Sequence, residues 1–387
     1  MAWRWWGAAM GSDAPITNRD HGTGREMYTL RSRAPMRISF AGGGTDVSPF
    51  PEQKGGAVLN CTIDKYAYAT LRVNPDGQGV MGVTSVDYDV SARYADPSEL
   101  AYDGKLDIVK AALKLLRPAR GSRPEGPDSV DFYLHSDAPP GTGLGGSSAM
   151  CVALVGAFAH YLKEPWTPYD IAELAYRIER EELGMKGGRQ DQYSATFGGF
   201  NFIEFSAGRT IVAPLKIPRD VLNELAYRLL LCYTGTRHYS GGIIERQQAG
   251  VVEGRTETME ALEGTKQLAV DMKNELLRGN IDEMGKLLDE GWQLKKQFTD
   301  GITNPHIDAL YAKARGAGAL GGKLVGAGGG GYLLLFCDFE RRRDVIKAVQ
   351  ATGGDAADFA FELEGLQTWT VRPPTVSAAP YPRAGRP

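Results

Sequence analysis

The chain has 387 residues, with 44 Lys+Arg against 47 Asp+Glu, a formal charge of −3. That length suits two domains, and 42% hydrophobic with 24% charged residues is an ordinary globular composition. The near-neutral balance argues against a nucleic-acid partner, and no apolar run reaches the ~20 residues needed to cross a bilayer, so no membrane partner is expected. Glycine is the outlier: 49 residues, about 13% against a usual share of roughly 7%, gathered in clusters without a collagen period.

From the N-terminus, residues 1–30 read as a disordered leader. Its apolar start is short and broken by Arg4, unlike a signal peptide, and Met27 is an alternative start. Met36–Ala41, Ala57–Ile63 and Tyr66–Val73 are predicted strands on their β-branched and aromatic content. Val130–Ser136 alternates as a strand and runs into the glycine-rich stretch Pro139–Ser148. An alanine-rich helix is expected over Ala149–Leu162, and a second over Pro168–Leu183, with acids in its first turn. Phe200–Phe205, Thr210–Leu215 and Tyr227–Tyr233 are further strands. From about Gly242 to Phe298 the pattern is helical, broken near Gly279-Asn280. A helix at Pro305–Arg315, a glycine cluster, the strand Tyr332–Cys337, a charged helix over Glu340–Gln350 and two closing strands complete the chain. The segregation of strands and helices gives an α+β class with two lobes, 31–205 and 206–375, and a flexible tail at 376–387. No internal repeat is present, and nothing in the pattern points to an oligomeric state.

The cysteines, Cys61, Cys151, Cys232 and Cys337, are far apart and lack metal-ligand or redox spacing. Buried, reduced thiols in a cytoplasmic protein are the expectation. His135-Ser136-Asp137 sets three triad residue types side by side, but a triad is built in space and not by adjacency.

Glycine lets backbone N–H groups approach a ligand closely, and such a loop opening a helix makes an anion site. Gly141–Ser148 is so placed, with a strand before and a helix after. It matches G-x-G-x-x-G at Gly141, Gly143 and Gly146, yet the acid a dinucleotide site needs about 20 residues on is missing from a second strand. A P-loop fails too, because its lysine position holds Ser147. Gly326–Gly331 repeats the G-x-G-x-x-G spacing but leads into a strand. Phosphate binding at Gly141–Ser148 is therefore expected in a form that neither standard motif describes.

Arg33–Asp46 (RAPMRISFAGGGTD), Pro139–Ala149 (PPGTGLGGSSA) and Gly322–Gly331 (GKLVGAGGGG) resemble, in order, the three motifs of the GHMP small-molecule kinases. The similarity runs from about Arg33 to Arg372. Within that superfamily, AGGGTD followed by IEREELGMKGGRQDQYSATFGGFNFIEF is most similar to the D-glycero-D-manno-heptose 7-phosphate kinases. Fucose-type sugar kinases share the first motif. The resemblance implies a two-lobe GHMP fold, with a ribosomal-protein-S5-domain-2-like N-terminal lobe and a ferredoxin-like C-terminal lobe.

It also implies ATP and Mg²⁺ as cofactors, and a sugar phosphate as the small-molecule partner. The second motif would hold the ATP phosphates through Pro139, Gly141, Gly143, Leu144, Gly145, Gly146, Ser147 and Ser148. The metal would fall to Ser147 and Glu179, with Ser148 a rival for the serine role and Ser147 a possible cap of the following helix. Asp191 matches the family's catalytic base and Arg37 the arginine that pairs with it, although the Glu179-to-Asp191 spacing is one residue longer than usual. Against this, Arg37 alternates with Met36 and Ile38 as any outward-facing strand arginine would. Gly43, Gly44, Asp46, Gly328 and Gly329 would bind the sugar. Lys186, Arg189, Arg237 and His238 are candidates to clamp its phosphate. The activity implied is transfer from ATP to the anomeric hydroxyl of D-glycero-D-manno-heptose 7-phosphate, giving the 1,7-bisphosphate for nucleotide-activated heptose synthesis. The alternatives are a fucose-type sugar 1-kinase and a non-catalytic sensor of sugar phosphate and ATP.

Overall fold

A computed structural model describes residues 26–75, 79–87, 89–94, 100–116, 128–236 and 241–372. The first strand, β1 (Tyr28–Ala41), begins inside the span expected as leader. It turns through the first glycine cluster and the short helix α1 (Phe50–Lys54) into its antiparallel partner β2 (Gly56–Asn74). The two strands expected between 57 and 73 are thus one. The polar Asp64-Lys65 pair that divides them in sequence is taken up at a register shift opposite Pro35/Met36.

β3 (Met81–Ser85) and β4 (Val90–Tyr94) form a hairpin, followed by helix α2 (Asp107–Leu116). β5 (Ser129–Ser136) runs parallel to β3 and antiparallel to the second half of β2. It leads into α3 (Gly146–Leu162), whose residues Ala149 to Ala159 are nearly all buried, as expected of a helix apolar on every side. α4 (Pro168–Tyr176) starts with Pro168 at N1 and a capping box between Thr167 and Asp170. It continues as a π-helical turn over Arg177–Glu182, marked by the bond from Leu183 N to Ile178 O at 3.2 Å. α5 (Gln190–Phe197) precedes β6 (Phe200–Ser206), which pairs with the first half of β2 and with β7 (Arg209–Pro214). The lobe boundary expected at 206 therefore falls within a hairpin of this sheet.

After α6 (Arg219–Arg228), a second sheet forms from β8 (Leu229–Tyr233), β9 (Ala319–Leu324), β10 (Tyr332–Cys337) and β11 (Asp355–Ala357). Its order is β11-β8-β10-β9, fully antiparallel. With a helical excursion after β8 and α11 (Arg342–Ala351) before β11, this is the βαββαβ pattern of a ferredoxin-like lobe. The excursion holds α7 (Gly241–Val252), α8 (Thr256–Arg278), α9 (Ile281–Lys296) and α10 (Pro305–Gly316). Gly279, left-handed at φ 79°, ends α8 and turns the chain into α9. α9 packs on β9 and β10, whereas α8 reaches back to β1 and β2. The last strand, β12 (Gln367–Thr370), returns to the edge of the larger sheet beside β1. The two lobes are thereby tied together at both ends of the second one. Among the described residues, no helix is long and apolar enough to cross a membrane. All four cysteines are buried and free of disulfides.

Candidate active site

A pocket of about 210 Å³ opens where the glycine loops of β1, α3 and β10 meet. Its anion-favouring end is the N-terminus of α3. Gly145 caps that helix in a left-handed conformation, φ 76°, and no side chain takes the cap position. Its carbonyl receives the Ala149 amide at 2.9 Å, so the amides of Gly146, Ser147 and Ser148 have no intrahelical acceptor. These three residues line the pocket, together with Gly141, Gly143 and Gly145. Free amides and the positive end of the helix dipole favour an anion there. Gly143 cannot be replaced cheaply: at φ +83° an added Cβ would stand 2.5 Å from the Val325 carbonyl. Pro139 and Leu144, also in the expected set, are not on the pocket wall. Pro139 is exposed outside the pocket and accepts from the Thr142 hydroxyl, while Leu144 is buried in the core.

Strand alternation sends Met36, Ile38 and Phe40 into the core and leaves Arg37 and Ser39 lining the pocket. Arg37 Nε donates to Asp191 Oδ1 at 2.7 Å, and NH1 donates to the Gly143 carbonyl at 2.6 Å. One arginine thus joins β1, the Gly141–Ser148 loop and the first turn of α5. The extra residue between Glu179 and Asp191 does not prevent this pairing. Asp191 Oδ2 accepts no hydrogen bond among the described residues, and its side chain keeps 19% exposure toward the pocket.

Glu179 lies in the π-helical turn, fully buried, yet on the pocket wall. Its Oε1 accepts from the Ser147 hydroxyl at 2.7 Å and its Oε2 from Gln192 Nε2 at 2.6 Å. The same Gln192 nitrogen donates to Ser148 Oγ at 3.1 Å. Ser147 therefore faces Glu179 instead of capping α3, and Ser148 is engaged by Gln192. The guanidinium of Arg180 is 4.0 Å from Glu179, the limit of an ion pair, so this buried carboxylate is met mainly by neutral partners. Among the described residues, no group of three or more His, Cys, Asp or Glu side chains could hold a metal. Magnesium needs no such group, since it takes one or two carboxylates and keeps waters and phosphate oxygens. Ser147 with Glu179 suits it.

Asp46 is 1% exposed. Its Oδ1 accepts from the Gly44 amide and its Oδ2 from the Gln190 amide, both at 3.0 Å. Burial pushes its pKa above the ordinary value; the Gln190 amide works the other way, and the nearby Asp191 adds to the rise. Gly188 covers it so closely that an added Cβ would meet Oδ2 at 1.9 Å. Gly43, Gly44 and Gly328 line the same part of the pocket. Gly329 does not; its amide is committed to the Ile302 carbonyl at 2.8 Å. Lys186 is exposed at the pocket rim. Arg189 donates to Glu52 at 2.9 Å, lies over the Tyr176 ring and does not line the pocket. Arg237 and His238 lie outside the described residues.

No sequence motif singles out Gln190, Gln192 or Gln247, and the Gln247 side-chain amide donates to the Gly44 carbonyl at 3.0 Å. Nor does one single out Lys295 and Lys323, both buried and both on the pocket wall.

The GHMP kinases N terminal domain family matches residues 107–199, and the GHMP kinases C terminal family matches residues 272–355. A D-glycero-alpha-D-manno-heptose 7-phosphate kinase from Campylobacter jejuni is 38% identical over 346 residues, covering 89% of this chain and 100% of that protein. The chain belongs to the GHMP kinases. Among solved structures, this GHMP kinase is similar to a D-glycero-D-manno-heptose 1-phosphate kinase from Bacteroides thetaiotaomicron. The TM-score is 0.72 at 33% identity, with 89% of this chain and 100% of that one covered. An L-fucokinase/L-fucose-1-P guanylyltransferase from Bacteroides fragilis is 28% identical over 83% of this chain, which spans only 36% of that protein. The GHMP kinase described here is an ATP-dependent sugar kinase.

Proposed function

We propose that this kinase transfers a phosphoryl group from ATP to the anomeric hydroxyl of D-glycero-D-manno-heptose 7-phosphate, as a cytoplasmic enzyme. The observation that carries the reading is the pairing of Arg37 with Asp191 beside the phosphate loop, in a chain of which 89% aligns with the full length of a heptose 7-phosphate kinase. The amides at the N-terminus of α3 receive the nucleotide phosphates. Asp191 Oδ2, free of internal donors, accepts the proton of the attacking hydroxyl as the new P–O bond forms. Arg37 fixes the carboxylate through Oδ1 and supplies positive charge beside the transfer path. Asp46, held rigid by two backbone amides, retains acceptor capacity for sugar hydroxyls. Ser147 and Glu179 would hold Mg²⁺, which when bound neutralises charge on the phosphate oxygens.

Two of the proteins similar to this chain are named as a heptose 7-phosphate kinase and a heptose 1-phosphate kinase. The position is therefore the feature to test. Full-length enzyme is incubated with ATP, Mg²⁺ and heptose 7-phosphate, and the product is located by ³¹P–¹H correlation. A new phosphate on the anomeric carbon is the expected result. A new phosphate at any other carbon, or turnover of L-fucose in preference, overturns the proposal.

A further inference from the structure

Two buried lysines stand on the pocket wall with no role in the chemistry above. Lys295 belongs to α9 and is 6% exposed; Lys323 belongs to β9 and is 4% exposed. Their amines meet only backbone carbonyls. Lys295 Nζ donates to Leu324 O at 2.9 Å and to Gly326 O, and Lys323 Nζ donates to Phe40 O at 3.1 Å. Among the described residues neither forms an ion pair. The groups that face them are cationic: Arg37 from β1, and each other from α9 and β9. The pocket's carboxylates are engaged elsewhere, Asp191 by Arg37, Glu179 by Ser147 and Gln192, and Asp46 by two backbone amides.

Five cationic side chains and three carboxylates line the pocket. A buried ammonium without a counter-ion is costly, and a chain with no use for it places a neutral side chain there. Here two such amines stand on one pocket wall, and Lys295 holds the carbonyl of Gly326, which itself packs against Gly143 of the phosphate loop.

We propose that Lys295 and Lys323 form a phosphate subsite whose counter-ion is a phosphate dianion brought by a substrate. The dianion is either the terminal phosphate of the nucleotide or the phosphate carried by the sugar; the chemistry of recognition is the same. Without it, burial and then the neighbouring Arg37 push Lys323 down to about 7. Burial, followed by Lys323 and Arg37, also takes Lys295 well below its ordinary value. Arrival of the dianion reverses that balance, so binding draws protons from solvent. The inference rests on phosphoryl transfer in this pocket and not on the choice of heptose.

The test is isothermal titration calorimetry of the full chain at pH 8, in two buffers of different ionisation enthalpy. The probes are inorganic phosphate, ADP, the β,γ-imido analogue of ATP, heptose 7-phosphate and unphosphorylated heptose. Proton uptake on the order of one per ligand is expected for whichever probe places phosphate at the lysines. Lys323→Met and Lys295→Met should abolish that uptake and weaken the same probe at least about tenfold. Loss confined to the imido analogue, with ADP unchanged, assigns the terminal phosphate. Loss confined to heptose 7-phosphate, with heptose unchanged, assigns the sugar phosphate. If wild-type protein binds every phosphate probe without proton uptake, the subsite is refuted, and that measurement needs no variant to fold. Failure of both heptoses to bind would sink the sugar assignment, while the nucleotide and inorganic phosphate arms still decide the lysines.

Discussion

Arg37 and Asp191 are 154 residues apart in sequence, and the guanidinium meets a single carboxylate oxygen, Oδ1, through Nε at 2.7 Å and NH2 at 2.6 Å. This one-sided contact divides the labour of the carboxylate. Oδ1 anchors it, and Oδ2 is left to face the pocket. The third guanidinium nitrogen holds the Gly143 carbonyl, so the proposed proton acceptor and the Gly141–Ser148 loop are set by the same side chain.

Asp191→Asn should keep the anchor geometry but lose the proton acceptor. A positioned general base contributes typically about 10²–10⁴ in rate, so kcat should fall by that order. Affinity for the imido analogue of ATP should stay within about threefold of wild type, since the isosteric amide keeps the place of Asp191 beside Gly145 and its Oδ1 contact with Arg37. ADP-release kinetics and calorimetry check the two halves. A variant keeping more than half of wild-type kcat would remove Asp191 from the proposed mechanism.

Ser147→Ala and Glu179→Gln should each raise the Mg²⁺ concentration needed for half-maximal activity. Ser148→Ala is the contrast. Its hydroxyl accepts from Gln192, so its loss should cost about 1 kcal/mol of stability and leave the magnesium titration in place. Overlaying magnesium curves for Ser147→Ala and wild type would show that the serine is not a ligand.

Gly188→Ala tests Asp46 without replacing it. The added methyl would stand 1.9 Å from Oδ2, forcing the carboxylate or the 187–190 loop to move. Sugar KM should rise several-fold or more, with nucleotide KM nearly unchanged. An equal rise in both would point to general collapse of the pocket.

Much of this site was legible because its chemistry is local in sequence. The glycine loops declare themselves, and Arg37, Asp46, Glu179 and Asp191 sit in or near motifs whose resemblance is specific. Lys295 was missed because a lysine near a helix end reads as solvated. Yet the buried positions of α9 are Ile281, Met284, Gly285, Leu288, Gly291, Trp292 and Lys295, a helical stripe with the amine as its last member. Lys323 was hidden between glycine and leucine, in a strand buried on both faces where alternation carries no signal. Arg189 misled for the opposite reason: it lies beside a glycine loop, but tertiary packing gave it Glu52 and Tyr176. α2, α5 and α6 went unread, being short helices at the lower end of reliable periodicity. β7 and β12 join the larger sheet, a pairing that sequence order alone does not reveal.

The buried lysine gives a pH signature to the ligand-free protein. Lys323 titrates at about 7 in the native state, below the ordinary 10.5 of the unfolded chain. Between those values the unfolded chain binds the extra proton, so this group makes stability rise with pH from 7 toward 10.5. Lys323→Met should remove that contribution, so its melting temperature should climb less between pH 7 and pH 9 than that of wild type. Scanning calorimetry at pH 6, 7, 8 and 9 checks it. Parallel curves would mean that Lys323 remains charged in the free protein.

Substrate choice is where the proposal is most exposed. With Arg189 committed to Glu52, the rim cation left from the expected set among the described residues is Lys186, while Lys295 and Lys323 supply charge deeper in the pocket. A charge-assisted contact to phosphate is worth roughly 1.5–3 kcal/mol, or about 10- to 150-fold in kcat/KM. Unphosphorylated heptose should therefore be a poorer substrate than heptose 7-phosphate by at least that factor. Lys186→Gln should narrow the gap if the rim lysine holds the 7-phosphate, and leave it unchanged if the buried pair does. Competition between the two sugars in one assay gives the ratio directly. Equal use of the two would end the sugar-phosphate assignment and leave a sugar kinase whose buried lysines serve the nucleotide.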